Sequence, residues 1–284
     1  MFRPWRLRGG AAAGSDGFRP LVVGIVNATP DSFFDGGNHP DAESAAAHGL
    51  KLWEEGADLI DVGGESTRPG ADPVDVREEI RRAVPVVERL VAAGVRTSID
   101  TRRPQVAQAA LEAGACAIND VGGLADRRMI ELCAWYGAGA CALHMRGEPS
   151  TMQAETGYRD VVWEVAAFLQ GAVDRWKAAG LSPDALALDP GVGFGKAVRH
   201  NLALVAATAR LRERFPKHPW YLGLSRKSWI RNLPEAGEGT DRLAGSLGGA
   251  LAAAHLGCDV LRVHDVAATR EAWAAFRACR EGNA

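Results

Sequence analysis

The stretch VRTSIDTRRPQVAQAALEAGACAIND, residues 95–120, contains the unit that decides the fold. Its two ends, 95–100 and 116–120, predict short strands, and the segment 104–113 between them predicts a helix. Pro104 suits the first turn of this helix, where a missing N–H leaves no hydrogen bond unmade. A strand, a helix and a second strand in this order predict a β-α-β unit with parallel strands.

The same alternation continues along the chain, and most of the short runs are apolar throughout, as expected for parallel strands covered on both faces. The predicted strands are 21–27, 58–63, 95–100, 116–120, 139–144, 185–189, 221–225 and 260–264. The predicted helices lie near 41–55, 75–93, 104–113, 127–136, 160–179, 200–214, 240–256 and 267–280. This pattern predicts a single α/β domain, a (β/α)8 TIM barrel over residues 21–284. A doubly wound open sheet is the alternative, because connectivity alone does not prove closure.

The composition excludes several classes of function. The 284 residues carry a formal net charge of −2, whereas a nucleic-acid binder would show a concentrated basic face. No apolar run approaches the length of a membrane span, so we expect no membrane partner. Residues 1–20 lack the apolar stretch of a signal peptide and are expected to form a flexible tail. Five cysteines without a CxxC pair indicate neither disulfides nor a zinc cage, which favours a cytoplasmic protein.

Polar residues stand at the ends of the predicted strands, and in a barrel these ends meet at one mouth, where active sites are found. Asp100, Asn119 and Asp189 end three of the strands. Any one of them could be a structural residue, but several buried carboxylates without partners would be costly. Carboxylate and amide acceptors suit a flat heterocycle that presents N–H donors side by side.

Cations form a second group at the same strand ends. They are Arg68, Arg226, Lys227, Arg262 and His264. Each alone is weak support, since surface cations are usually solvated, but together they favour an anion site, and arginine suits phosphate oxygens. Ser66 and Thr67 add hydroxyl and backbone donors. We therefore expect a small polyanionic ligand.

The glycine-rich loop DPGVGFGK, residues 189–196, follows a strand and precedes a helix. Its glycines are spaced GxGxG, and no acidic strand end follows about 20 residues later, so it does not match a dinucleotide fingerprint. The glycines are expected to bring backbone close to a planar ligand, with Phe194 as a stacking surface. His144 is either a core residue or a wall of the site, and no second ligand at metal spacing accompanies it.

Eight motifs in order resemble those of the dihydropteroate synthases. They are GIVNATPDSFFDGG, DVGGESTRPGA, SIDT, INDV, LHMRGEPSTMQ, LDPGVGFGK, GLSRKS and RVHDV, and the resemblance runs from about Leu21 to Trp273. It implies a TIM barrel, usually a homodimer, that condenses (7,8-dihydropterin-6-yl)methyl diphosphate with 4-aminobenzoate in folate biosynthesis. It also implies inhibition by sulfonamides, which mimic 4-aminobenzoate.

The resemblance assigns roles by position. The residues expected to hold the pterin are Asp100, Asn119, Asp189 and Lys227. Those expected at the diphosphate are Thr67, Arg68, Arg262 and His264, with Val263 as a further substrate-binding residue. Asn27 would help to position a Mg2+ ion bound to the diphosphate. The aminobenzoate pocket would be shaped by Phe33, Pro69, Phe194 and Ser228.

These roles imply an SN1-like substitution in which Mg2+ assists departure of the diphosphate. The residues expected to take part in catalysis are Asp100, Lys227, Arg262 and His264. Three positions, Ala28, Phe34 and Val192, depart from the family pattern and are expected to lie in mobile loops, where they would change the shape of the pocket.

Two other functions compete with this interpretation. Methyltetrahydrofolate methyltransferases share the fold and the pterin site but hold no diphosphate, so Arg68, Arg262 and His264 favour the synthase. A non-enzymatic paralogue that binds pterin without turnover is the other alternative, although every expected polar residue is present.

Overall fold

Eight parallel strands form the central sheet of the computed structural model, which describes residues 1–12, 17–29, 42–66, 70–154, 156–233 and 242–282. After a short N-terminal hairpin of β1 (Trp5–Leu7) and β2 (Gly10–Ala12), the barrel strands follow in chain order. They are β3 (Leu21–Asn27), β4 (Leu59–Gly63), β5 (Thr97–Asp100), β6 (Ala117–Asp120), β7 (Gly139–Leu143), β8 (Leu186–Asp189), β9 (Tyr221–Gly223) and β10 (Val260–Val263). Every predicted barrel strand is therefore confirmed, with ends that differ by a residue or two.

The sheet closes on itself. Its hydrogen-bonded order is β8-β7-β6-β5-β4-β3-β10-β9, and the two end strands meet through a parallel bridge between Leu188 and Trp220. The Leu188 N–H also donates to the Pro219 carbonyl at 2.9 Å. The (β/α)8 barrel is confirmed, and the open-sheet alternative is wrong.

Helices cover the outside of the barrel. They are α1 (Ala42–Glu54), α2 (Val76–Ala92), α3 (Pro104–Glu112), α4 (Arg127–Tyr136), α5 (Val161–Ala178), α6 (Val198–Ala206), α7 (Thr208–Arg214), α8 (Arg242–His255) and α9 (Val266–Glu281). The single helix predicted at 200–214 is wrong, because the chain turns at Ala207, where ψ is 1°. No helix in the described ranges combines the length and the apolar character that crossing a membrane requires.

Side chains alternate between the barrel interior and the helix layer along each strand. In β4, Leu59 packs in the interior cluster with Val23, Tyr221 and Val260, while Ile60 packs in the larger cluster beneath the helices. Asp61 is the next interior position after Leu59. A polar layer therefore lies directly on top of an apolar one, toward the carboxyl ends of the strands.

The N-terminal hairpin closes the other end of the barrel. Trp5 is 1% exposed, packs edge-on against Tyr221 at 5.9 Å and donates from Nε1 to the Ala185 carbonyl at 3.1 Å. The backbone N–H of Arg3 donates to Asp259 at 2.6 Å. The expectation of a flexible tail is wrong for residues 1–12, because Trp5 and Leu7 bury their side chains against the first residues of the barrel strands.

The cysteines behave as small apolar residues. All five are free thiols, and Cys116, Cys133, Cys141 and Cys258 are buried. Burial raises the pKa of Cys116 to about 11, so this thiol is protonated at neutral pH. The structural interpretation of the buried cysteines is confirmed.

Candidate active site

A buried ion-pair network lies at the carboxyl end of the barrel. Arg262, on β10, donates from Nε to Asp61 Oδ2 and from Nη2 to Asp100 Oδ2, both at 2.7 Å. Burial disfavours the charged guanidinium, but the two carboxylates outweigh this effect and raise the pKa of Arg262. The Arg262 guanidinium thus links β10 to β4 and β5 through two ion pairs.

Two buried acceptors beside this network have no partner among the described residues. They are Oδ1 of Asp100 and Oδ1 of Asn119. Buried polar atoms are nearly always hydrogen-bonded, because an unpaired one costs about 1–3 kcal/mol. Asp100 and Asn119 are directly opposite each other in the register of β5 and β6. Their oxygens form an acceptor pair suited to a ligand that carries N–H groups.

Burial also shifts the acidity of the site. It raises the pKa of Asp100 to about 7, although Arg262 opposes the shift. It raises the pKa of Asp189, which is 2% exposed, with Lys227 opposing. Asp189 Oδ1 accepts a hydrogen bond from the Gly191 N–H at 2.7 Å. Each carboxylate oxygen accepts more than one hydrogen bond, so Asp189 retains capacity for a ligand.

Lys227 completes this side of the mouth. Its Nζ donates to the Val192 carbonyl and lies 4.6 Å from the centroid of the Phe194 ring. Burial lowers the pKa of Lys227 to about 8, while the attraction of Asp189 opposes the shift. The lysine therefore stands between the glycine loop and the acidic centre, where its donor can reach a ligand carbonyl.

The glycine loop 189–196 is held by Lys196, which the sequence analysis missed. Its Nζ lies 2.9 Å from the carbonyls of Gly191 and Phe194, 3.2 Å from that of His144 and 2.9 Å from His144 Nδ1. Burial and the neighbouring Lys196 lower the pKa of His144 to about 3, so its ring is neutral. His144 also packs edge-on against Phe168 at 4.8 Å. It is a buried support of the loop.

Ser225, in the loop after β9, forms hydrogen bonds with His264. His264 Nδ1 lies 3.0 Å from Ser225 Oγ, and the His264 N–H donates to the same oxygen at 3.2 Å. Ser228 is exposed and Val263 is buried at 5% exposure. Arg226 donates to Asp265 at 3.0 Å. Its guanidinium is thus directed to a neighbouring carboxylate, apart from the network around Arg262.

Comparison with known proteins identifies the family. A profile described as "pterin binding enzyme" matches residues 23–264. The chain is 43% identical over 263 residues to dihydropteroate synthase of Neisseria meningitidis serogroup C, covering 92% of this chain and 93% of the relative.

The chain belongs to the dihydropteroate synthase family.

Two solved structures of the family have the same fold. Dihydropteroate synthase of Xanthomonas albilineans, in complex with 7,8-dihydropteroate, is 43% identical with a TM-score of 0.82, covering 93% of this chain and 94% of that one. The Yersinia pestis dihydropteroate synthase, in a sulfonamide drug complex, is 40% identical with a TM-score of 0.87, covering 99% and 100%. The chain is therefore an enzyme of the pterinylmethyl transferase class.

Several residues assigned by the family resemblance lie outside the described residues. They are Phe33, Phe34, Thr67, Arg68 and Pro69. The described part of the site still brings Asp100, Asn119, Asp189 and Arg262 to the ends of four strands, as the sequence predicted.

Two positions that depart from the family pattern are placed differently from our expectation. Ala28 is 1% exposed, and its N–H extends the β3 ladder by donating to the Gly63 carbonyl at 2.8 Å. Val192 is 0% exposed. The expectation of mobile loop positions is wrong for both, because each side chain packs in the core beneath the helices.

The donor set for a metal ion is small. Among the residues that the structure describes, no group of three or more His, Cys, Asp or Glu side chains could hold a metal. Asn27 ends β3 at the mouth, half-buried, with its Cα opposite Gly63. A single amide oxygen fits Mg2+ only as one of several ligands, the others coming from substrate phosphate and water.

Asp61 is the second residue that the sequence analysis missed. It is 0% exposed, within a strand that is otherwise apolar apart from glycine. A carboxylate at an interior position of a barrel strand is a signal in itself, since an unpaired buried charge is costly. Because side chains alternate along a strand, Asp61 could have been placed from the sequence on the same face of β4 as Gly63.

Proposed function

We propose that this enzyme condenses (7,8-dihydropterin-6-yl)methyl diphosphate with 4-aminobenzoate to give 7,8-dihydropteroate and diphosphate. The observation that carries the proposal is the pair of buried acceptors on Asp100 and Asn119, beside Arg262, that have no hydrogen-bond donor among the residues the structure describes. A dihydropterin ring presents N–H donors along its edge and matches this pair. The product complex of the Xanthomonas relative supports the same substrates.

Asp189 and Lys227 hold the other edge of the pterin. The carboxylate accepts from the 2-amino group and the adjacent ring N–H together, in a charge-assisted pair. Lys227, between the glycine loop and the acidic centre, donates to the ring carbonyl and ring nitrogen. Desolvation of both groups strengthens these interactions, since a buried charged hydrogen bond is worth about 1.5–3 kcal/mol.

The diphosphate lies against Arg262 and His264, with Thr67 and Arg68 as further donors. Asn27 would be the protein group that holds a Mg2+ ion, and that ion would supply positive charge to the diphosphate. The guanidinium of Arg262 keeps its proton at every physiological pH, because Asp61 and Asp100 raise its pKa. Charge stabilisation of the leaving group is then a permanent property of the site.

The family resemblance assigns the aminobenzoate pocket to Phe194 and Ser228 together with Phe33 and Pro69. Sulfonamides share the shape and charge of 4-aminobenzoate, and the Yersinia relative was solved with such a drug. We expect sulfamethoxazole to compete with 4-aminobenzoate for this enzyme in steady-state kinetics. Noncompetitive inhibition, or none, would contradict a shared pocket.

The reaction proceeds by departure of diphosphate before the amine attacks. The electron-rich dihydropterin delocalises the positive charge that remains on its methylene carbon, and the Asp100 carboxylate faces that cation. The aromatic amine needs no base for its attack, because its lone pair is free at neutral pH; the proton that the nitrogen loses once the C–N bond has formed passes to the departed diphosphate or to water. Arg262 and His264 stabilise the charge that develops on the leaving group, an effect worth about 3–4 kcal/mol for a preorganised donor.

The test is turnover. Purified protein is incubated with both substrates and Mg2+, and dihydropteroate is measured by mass spectrometry, with Asp189→Asn as a control of lowered pterin affinity. Formation of the product at a saturable rate is expected, and binding of the pterin diphosphate without product would instead indicate the non-enzymatic paralogue. Positional isotope exchange in the diphosphate, with an unreactive aminobenzoate analogue bound, tests the order of bond breaking; its absence would indicate direct displacement.

We also propose that the enzyme works as a homodimer, on the family resemblance alone. Light scattering after size exclusion should give twice the 30.1 kDa chain mass, and a monomer mass would contradict this.

A further inference from the structure

Asp61 is the most completely enclosed carboxylate of the site, and all its contacts come from protein groups. Its Oδ1 accepts from Ser98 Oγ at 2.6 Å. Its Oδ2 accepts from Asn119 Nδ2 at 2.9 Å and from Arg262 Nε at 2.7 Å. With 0% exposure, the side chain lies one interior position below the mouth and has no surface left for a substrate.

The contact with Asn119 determines which amide atom faces the ligand. A carboxylate only accepts hydrogen bonds, so the amide must direct its NH2 group toward Asp61. The carbonyl Oδ1 of Asn119 is then left on the other side, where it is buried and accepts no hydrogen bond from any described residue. The reversed amide would place two oxygens against each other and would offer the ligand a donor in place of an acceptor.

The contact with Arg262 fixes the guanidinium in the same way. Asp61 takes Nε and Asp100 takes Nη2, so the planar group is held along one edge by two carboxylates. Because the Arg262 guanidinium is already held in place, its side chain loses little rotamer entropy when it binds an anion. Asp61 is the contact that Asn119 and Arg262 share, although they lie on different strands.

We propose that Asp61 is the positioning residue of this site, which orients the Asn119 acceptor and the Arg262 donor toward the pterin diphosphate. This assignment rests on the proposed function. Asp61 itself touches no substrate. It acts by making one orientation of each neighbour much more stable than the others, before the substrate arrives.

Asp61→Leu tests the role by removing the acceptor while keeping a side chain of similar shape. We expect the dissociation constant for 6-hydroxymethylpterin, measured by calorimetry, to rise about 10- to 100-fold, since a buried charged hydrogen bond is lost. The KM for 4-aminobenzoate should change by less than about three-fold, the size of an ordinary distant effect. A folded Asp61→Leu variant with wild-type pterin affinity would overturn the proposal.

Two further variants separate positioning from general packing. Asp61→Asn keeps a carbonyl oxygen toward Asn119 and Arg262, and its amide can donate to Ser98, so it should restore most of the affinity lost in Asp61→Leu. Ser98→Ala is the matched control, because it removes one contact of Asp61 but keeps its contacts with Asn119 and Arg262. It should leave pterin affinity within about two-fold of wild type; a loss equal to that of Asp61→Leu would overturn the proposal.

If Asp61→Leu does not fold, Asp61→Glu carries the test. It keeps the charge but displaces by one methylene group the oxygen that Asn119 and Arg262 share, so pterin affinity should fall at least about ten-fold. Unchanged affinity would overturn the role of Asp61. Wild-type turnover is measured first, so that failure of the proposed function is distinguished from failure of this assignment.

Discussion

At the level of single residues, the site is organised around buried acceptors to which no protein group in the described part of the chain donates. Oδ1 of Asp100 and Oδ1 of Asn119 are buried, and no described protein group donates to either. Each such atom costs about 1–3 kcal/mol while it is unpaired. A ligand with N–H donors removes this cost when it binds. The free energy of binding therefore includes the relief of a penalty that the free protein carries.

Asp189→Asn should weaken pterin binding about 10- to 100-fold, because the variant turns an amide N–H toward the donors of the ring. Calorimetry with 6-hydroxymethylpterin measures the change. Asp174→Asn, on the exposed face of α5, is the control and should bind as wild type. Equal affinities of the two variants would remove Asp189 from the site.

Pterin affinity should also depend on pH through Asp100. Burial raises the pKa of this carboxyl to about 7, with Arg262 opposing the shift and Asp61, Glu79 and Asp120 adding to it. The carboxylate that accepts from the ligand is thus lost as the pH falls through 7. Calorimetry from about pH 6 to about pH 8 should show affinity declining toward acid.

The matching variant for this pH dependence is Asp100→Asn, which cannot titrate. It should bind more weakly at alkaline pH and show no inflection near 7. An inflection that persists in Asp100→Asn would assign the titration to another group.

The sequence identified the residues at strand ends and missed the ones behind them. Asp100, Asn119, Asp189 and Arg262 were predictable because strand ends of a barrel share one mouth. Asp61 and Lys196 act through contacts with residues far away in the chain, such as Asn119 and His144. Only the folded structure brings those partners together.

At the level of elements, the loop between β8 and α6 depends on one glycine. Gly191 has φ +69°, and a Cβ there would lie 1.8 Å from the His144 carbonyl oxygen. Backbone on both sides of this approach is fixed by Lys196, so the neighbour cannot move away without disturbing the whole loop. Gly191 is therefore needed for close packing of this loop against His144, the residue that follows β7.

Gly191→Ala should lower pterin affinity and stability together, because the loop must shift to admit the methyl group. Gly180→Ala is the matched control: its φ is +74°, but nothing lies within 4 Å of the added Cβ. It should cost only the backbone strain of about 1 kcal/mol. Urea unfolding and pterin calorimetry on both variants compare the effects, and equal losses would show that the contact with His144 is unimportant.

The sequence predicted the positions of strands and helices wherever the run of apolar residues was long enough to recognise. The barrel strands are buried on both faces, and they could be predicted because each is a short apolar run between polar loops. The break between α6 and α7 at Ala207 could not be predicted in this way, because alanine is a good helix former. The hairpin strands are three residues each, too short for a period to be recognised.

At the level of the whole molecule, stability and catalysis are placed at opposite ends of the barrel. Trp5 and Leu7 complete the apolar interior at the amino ends of the strands, and Arg3 ties the segment to the Phe215 and His218 carbonyls. The polar network of Asp61 and Arg262 lies above this cluster. A change at one end should therefore have little effect at the other.

Trp5→Ala should lower the free energy of unfolding by about 3–5 kcal/mol, as expected for a large aromatic removed from a core. Both KM values should stay within about two-fold of wild type. Trp163→Ala, at a position that is 64% exposed, is the control and should leave urea unfolding unchanged. Raised KM values in a folded Trp5→Ala variant would contradict the separation of the two ends.

The hairpin also determines how this protein can be attached to a surface. Met1 is 97% exposed and immediately precedes the segment that closes the base of the barrel. A biotin coupled at Met1 would orient each molecule with its base toward a sensor chip and its mouth toward the flowing solution. Weakly binding fragments could then be screened by surface plasmon resonance without a linker near the pocket.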